Sequence, residues 1–235
     1  MNPRIVVLDG IDNSGKTWVA NKLEELHPDV GFCAFPSEGL ANSVEFKRVA
    51  ESRIAGNILA WLGALYEEEH AVLSEMLKDY KRIVVDRFWF STLLYQGDGL
   101  PNFLFERVIN KLYERLMDEL GIHSHDVVNI IFSYPLVRSD TSETNETKKL
   151  FDSKQSELHE KLFNLLPVVS DQMRVSTYSK YFRYVIEFNE FNLVNCWNDG
   201  EEPNIERVKE IQTDRVNLIS KMLTDATDQK QTDTG

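Results

Sequence analysis

Four residues near the start of the chain have the types and spacing that handle phosphate: Gly10, Gly15, Lys16 and Thr17, within L-D-G-I-D-N-S-G-K-T. They fit G-x-x-x-x-G-K-S/T without a mismatch, after an apolar run and before a helical pattern. In that setting the loop N–H groups, those of Asn13 and Ser14 included, converge with the positive end of a helix on the contents of the turn. A di- or triphosphate suits such a turn. Lys16 would reach the β- and γ-phosphates as a point charge, and the Thr17 hydroxyl would hold Mg²⁺. The plainer reading, a tight turn beside a solvated lysine, has no need of the flanking strand and helix.

A second constellation lies in V-V-D-R-F-W-F-S-T-L-L-Y-Q-G, residues 84–97. Asp86 ends a predicted strand, where a carboxylate can hold Mg²⁺ through its water shell, and Arg87 can fork onto a phosphate or another acid. Taken alone, the pair could equally cap the following helix.

These groups must be positioned by the elements around them. Ile5–Leu8 reads as a buried parallel strand and Thr17–Leu26 as an amphipathic helix. Val30–Phe35 reads as a second strand ending in F-P-S-E-G, a loop that forms a candidate wall of the site at Phe35. Residues 43–80 hold two helices, including L-A-W-L-G-A-L-Y-E-E-E-H, apolar at Leu59, Leu62, Leu65 and Tyr66 and then acidic. Lys81–Asp86 is a third strand, Asn102–Leu120 a helix with Val108, Leu112, Leu116 and Leu120 on one face, and Val127–Phe132 a fourth strand. The polar run Ser139–Thr147 reads as a mobile loop. Helices are predicted over Lys148–Leu166 and Asp171–Phe188, the second with an aromatic stripe expected to pack in the core. Phe191–Cys196 reads as a fifth strand, Pro203–Leu223 as a closing helix, and 224–235 as a disordered tail. The alternation implies a three-layer α/β/α domain of the P-loop kind over 1–223, built on five parallel strands with right-handed crossovers.

Composition narrows the partners. A net charge of −12 over 235 residues argues against a nucleic-acid polymer or an anionic membrane, since both require a basic face. Cys33 and Cys196 cannot build a disulfide framework, and with no signal-like or long apolar stretch the expectation is a cytoplasmic protein. The five histidines show no zinc spacing with cysteine.

Taken together, the two motifs resemble those of the thymidylate kinase family. L-D-G-I-D-N-S-G-K-T is similar to its E-G-x-D-G-x-G-K-S/T, and D-R-F-W-F-S-T-L-L-Y-Q-G to its D-R-Y/F-x-x-S-x-x-A-Y-Q-G, in order and spacing from Arg4 to about Gly97. The resemblance implies ATP and Mg²⁺, a homodimer, and a lid near 138–155. It implies that Asp12 lies by the metal and the sugar 3′-hydroxyl and that Arg87 binds the acceptor phosphate. It further implies that Ser91 and Thr92 line the acceptor pocket, that Tyr95 packs against the sugar, and that Gln96 is near the base. Trp61 falls where the family stacks a Phe on thymine, although its spacing equally suits the core.

The chain also departs from the family pattern. Asp9 stands for a Glu, F-P-S-E-G carries no Arg, and Leu65 and Tyr66 occupy the place of the Arg that hydrogen-bonds thymine. Around the lid it offers Arg138, Lys148, Lys149 and Lys154, with Arg138 the expected contact to the ATP phosphates. The reaction implied is transfer of the ATP γ-phosphoryl to a deoxynucleoside monophosphate, dTMP or a related, possibly 5-modified, pyrimidine nucleotide. Two rivals remain open: a deoxynucleoside kinase with Glu38 as general base, and a nucleotide-binding protein without transferase activity.

Overall fold

A computed structural model describes residues 3–11, 14–52, 55–89, 91–92, 102–132, 185–188 and 205–224. Their frame is a parallel sheet: β1 (Ile5–Gly10), β2 (Gly31–Ala34), β3 (Ile83–Asp86), β4 (Val127–Phe132) and β5 (Val185–Phe188). The spatial order is β2-β3-β1-β4-β5, with β1 in the middle. Every β1 residue is buried, because alternate side chains enter two cores. Ile5 and Val7 pack toward α4 (Ala55–Asp79) and α5 (Asn102–Glu119), among Trp61, Leu65, Leu73, Tyr113 and Leu116. Val6 and Leu8 pack toward α1 (Lys16–Leu26) and α6 (Ile205–Thr224), among Val19, Leu23, Val216 and Ile219. That double burial is why the strand reads as an unbroken apolar run.

Two short elements join β2 to α4. The stretch after Phe35 is more than a loop: α2 (Glu38–Ala41) forms a single turn whose first N–H groups are capped by Ser37, with Oγ accepting from Leu40 N at 3.2 Å. Then α3 (Val44–Ser52) leads to α4, as the expectation of two helices over 43–80 required. Within α4, Leu59 is half exposed, so the buried seam runs instead through Ile58, Trp61, Leu62, Leu65, Glu69 and Leu73. The seam of α5 is likewise turned from the expected face, with Ile109, Tyr113, Leu116 and Met117 fully buried and Val108, Leu112 and Leu120 only flanking them.

The C-terminal part differs more. Val185–Phe188, expected to end a helix, is β5, paired in register with Asn129–Phe132 of β4. A short apolar run satisfies helical and strand periodicity alike, and here pairing with β4 decides. Phe188 packs on Phe132 with ring centroids 5.2 Å apart. The predicted strand Phe191–Cys196 and the predicted helix Lys148–Leu166 lie outside the described residues.

Helix α6 does more than cover the sheet. Arg215 is buried beneath the phosphate loop, where its Nη1 donates to the Ser14 carbonyl at 2.8 Å. Its guanidinium carbon lies 5.0 Å from the Phe132 ring centroid and 5.3 Å from that of Phe188. Gln212 Nε2 donates to the Gly15 carbonyl at 3.3 Å. The loop is thus held from below by a distant part of the chain. We expect Arg215→Met to cost about 2 kcal/mol of stability, through the orphaned carbonyl and the lost ring contacts. Gly10→Ala should cost roughly 3 kcal/mol, since Gly10 has φ +126° and a Cβ there would lie 2.2 Å from the Phe132 carbonyl oxygen. Chemical denaturation, read as a lower midpoint at constant slope, checks both.

Candidate active site

The carboxyl ends of β1, β2 and β3 share one sheet edge, so the loops leaving them meet. Gly15, with φ 86°, turns the chain into α1 and makes Lys16 its first residue. Lys16 is only 4 % exposed. Its Nζ donates to the Gly10 carbonyl at 3.1 Å, to Ser14 Oγ at 3.1 Å and to the Ile11 carbonyl. Ser14 Oγ in turn donates to the Ile11 carbonyl at 2.7 Å. The cation therefore sits inside the loop, on acceptors that phosphate oxygens would replace.

Beside it, Thr17 Oγ1 donates to Asp86 Oδ2 at 2.8 Å, joining α1 to the end of β3. Asp86 Oδ1 is buried with no hydrogen-bond partner among the described residues. A hydroxyl and a carboxylate with an unused oxygen form a hard donor set that fits Mg²⁺. The residues present thus suit that ion.

Asp9 connects the two motifs. Fully buried on β1, it accepts from Phe88 N at 2.9 Å, from Ser91 N at 3.1 Å and from the Ser91 hydroxyl. These bonds cap the turn that follows Arg87, so Asp9, not Asp86, performs the capping that the Asp-Arg pair might have been read to do. Arg87 itself has φ 65°, the left-handed region that a non-glycine residue occupies at some expense, while its N–H holds the Leu8 carbonyl at 2.9 Å.

Against this edge lies a cavity of about 400 Å³, walled by Phe35, Pro36, Phe46, Trp61, Leu65, Phe88, Ser91 and Thr92, with Arg87 and Glu69 contributing charge. The volume suits a nucleotide-sized ligand. Trp61 is at once core and wall: it is 2 % exposed, and its ring centroid lies 5.1 Å from that of Phe46. Glu68 accepts from Ser37 N at 3.0 Å and from the Ser37 hydroxyl, holding the segment after β2 against α4. Glu38 is exposed and is not among the residues walling the cavity.

Of the residues expected in the site, Gly10, Ser14, Gly15, Lys16, Thr17, Phe35, Trp61, Asp86, Arg87, Ser91 and Thr92 gather along this edge. Asp12, Asn13, Tyr95, Gln96, Arg138 and the lid segment 138–155 lie outside the described residues. Sequence reasoning missed Arg215, Gln212 and Glu69. For Glu69 a signal existed: Trp61, Leu65 and Glu69 are spaced i, i+4, i+8, one stripe of a helix.

Burial shifts two acids of the site, Asp9 and Glu69. It lifts Asp9 above the ordinary carboxylate value, against the pull of its Ser91 and Phe88 donors and of Lys16. It lifts Glu69 well above its ordinary 4.5, with the nearby charges of Asp9 and Glu68 adding to the effect. A carboxyl that holds its proton more firmly when folded contributes stability that is complete below the unfolded value and lost as pH rises through the folded one. Glu69→Gln cannot ionise. Its thermal midpoint should therefore gain on that of the wild type as pH rises above the ordinary carboxylate value, as thermal melts over a pH series will show.

Comparison with known proteins agrees with this geometry. Residues 8–121, which include both motifs, match the family model described as thymidylate kinase. The thymidylate kinase of Orientia tsutsugamushi (strain Ikeda) is 27 % identical over 180 residues, covering 71 % of this chain and 80 % of that one. A probable thymidylate kinase 1 of Saccharolobus solfataricus is 32 % identical over 103 residues, 40 % of this chain and 51 % of the relative. In fold, the chain is similar to the crystal structure of thymidylate kinase from Ehrlichia chaffeensis, with a TM-score of 0.50 and 16 % identity, covering 93 % of this chain and 100 % of that one. The family model runs across both halves of the site and one relative aligns along most of both chains, so the chain is similar in sequence to thymidylate kinases.

Proposed function

We propose that the protein transfers the γ-phosphoryl group of ATP to the 5′-phosphate of dTMP or a related pyrimidine deoxynucleotide, giving the diphosphate. The observation that carries this reading is the Thr17–Asp86 hydrogen bond of 2.8 Å, which sets the phosphate loop beside Arg87 and the cavity that Arg87 helps to wall. One anion fits the loop and another the cavity, so the two meet at a shared edge. An acceptor phosphate is already a nucleophile at neutral pH, and no covalent protein intermediate is needed. The protein's task is to hold two anions in line and cancel their repulsion.

In this reading Lys16 leaves its loop acceptors for the β- and γ-oxygens of ATP, and the Gly10–Thr17 N–H groups, those of Asn13 and Ser14 included, cradle the phosphates. Arg87 clamps the acceptor phosphate. Ser91, Thr92, Phe35 and Trp61 wall the base and sugar, and Asp12, Tyr95, Gln96 and Arg138 keep the roles that the family resemblance implies. Thr17 and Asp86, with Asp12, would hold Mg²⁺, which when bound supplies neutralisation of the phosphate charge. A single domain over 1–223 with a lid near 138–155, a homodimer and a cytoplasmic location complete the proposal. The acidic charge of −12 supports small nucleotides over a nucleic-acid polymer as partners. Among the described residues no helix is long and apolar enough to cross a membrane.

ADP release measured with each natural deoxynucleoside monophosphate, and with the corresponding nucleosides, tests the assignment. Turnover of a nucleoside but not of its monophosphate would replace it with a nucleoside kinase. Lys16→Ala and Arg87→Ala should each lower kcat/KM about 10²- to 10³-fold or more with the fold intact. Arg87→Gly should be equally inactive yet more stable by about 1 kcal/mol, because glycine relieves the left-handed φ of 65°. Wild-type rates from any of the three would remove Lys16 or Arg87 from the transfer machinery.

A further inference from the structure

The three consecutive acids Glu67, Glu68 and Glu69 occupy different surroundings, because each step along α4 turns the side chain by about 100°. Glu67 is exposed and Glu68 ties down Ser37, while Glu69 is 1 % exposed and faces the cavity. Its Oε2 has no hydrogen-bond partner among the described residues. Burying a carboxyl without a partner is expensive, and folding alone gives no reason for it. Among the described residues Glu69 and Arg87 are the charged side chains walling this cavity. In the reading above Arg87 takes the acceptor phosphate, and where the family resemblance implies an Arg for the base stand Leu65, which cannot hydrogen-bond, and Tyr66, whose hydroxyl donates to Glu119.

We propose that Glu69 is the base-reading residue of the acceptor pocket: its buried carboxyl hydrogen-bonds the edge of a pyrimidine that presents a donor and an acceptor side by side. Thymine offers that pair as N3–H and O4. The carboxyl O–H donates to O4, and the carbonyl oxygen accepts from N3–H. Trp61, two turns earlier on the same stripe and about 12 Å along the helix axis, walls the other part of the cavity's α4 side with a flat apolar surface. A protonated acid is required, and the surroundings favour one: among the described residues Asp9 from β1, Cys33 from β2 and Glu68 on α4 are the titratable groups around it, with Arg87 the cation walling the same cavity. The inference rests on the kinase reading only in its choice of ligand.

The test is calorimetric binding to the full chain, with ADP release recorded separately. The wild type, Glu69→Gln and Glu69→Met are titrated with dTMP and with the deoxynucleotide of 2-pyrimidinone, which lacks both O4 and N3–H. Glutamine keeps a donor and an acceptor, so its Kd for dTMP should stay within about 3-fold of wild type; methionine keeps the length but neither group, and should weaken dTMP about 10- to 100-fold. The pyrimidinone nucleotide should bind all three alike. Equal dTMP affinity in Glu69→Met, or equal losses for both nucleotides, would overturn the assignment. Should Glu69→Met fail to fold, Glu69→Leu takes its place: a loss of dTMP affinity that spares the pyrimidinone nucleotide would support the assignment, and unchanged dTMP affinity would overturn it. Absence of ADP release with every nucleotide would instead count against the kinase reading, leaving the binding comparison to decide Glu69.

Discussion

The carboxylate of Asp9 is the point on which the site turns. It extends from the strand that launches the phosphate loop, yet its hydrogen bonds go to Phe88 and Ser91, in the segment that walls the cavity with Arg87 and Thr92. A buried acid spends its acceptor capacity on joining two loops that are separated by most of the N-terminal half of the chain. The parallel pairing of β1 with β3, in register from Ile5–Ile83 to Leu8–Asp86, sets the distance, and Asp9 sets the angle. Near-attack geometry tolerates little drift, so this rigidity belongs to the chemistry as much as to the fold.

Much of this was legible in the residue pattern. β4 coincides with its expectation over Val127–Phe132, and β1, β3, α1 and α5 differ from theirs only by a few residues at the ends. The reason is physical: buried parallel strands are continuous apolar runs, and the G-K-T loop requires a strand before it and a helix after it. What was not legible depended on long-range partners. Nothing local distinguishes Val185–Phe188 as a strand; its pairing with β4 does. Arg215 reads as one more cation on an amphipathic helix until the fold lays it under the Ser14 carbonyl.

The acidic run of α4 illustrates the same limit within a single turn of helix. Three identical residue types suggest a solvated face, since charged side chains are seldom buried. Helical rotation overrides that expectation, sending Glu69 inward and leaving Glu67 in water. Departures from a family pattern are thus best read with the helix stripe in view, because a function lost at one position can be taken up a turn further along.

The inward-folded Lys16 has a consequence for how tightly any nucleotide can be held. With its ammonium already seated on the Gly10 and Ile11 carbonyls and on Ser14, the loop acts as its own competitor. The same carbonyls and hydroxyl that hold the Lys16 cation inside the turn thus mark the place where the phosphate oxygens of the proposed nucleotide would take it over.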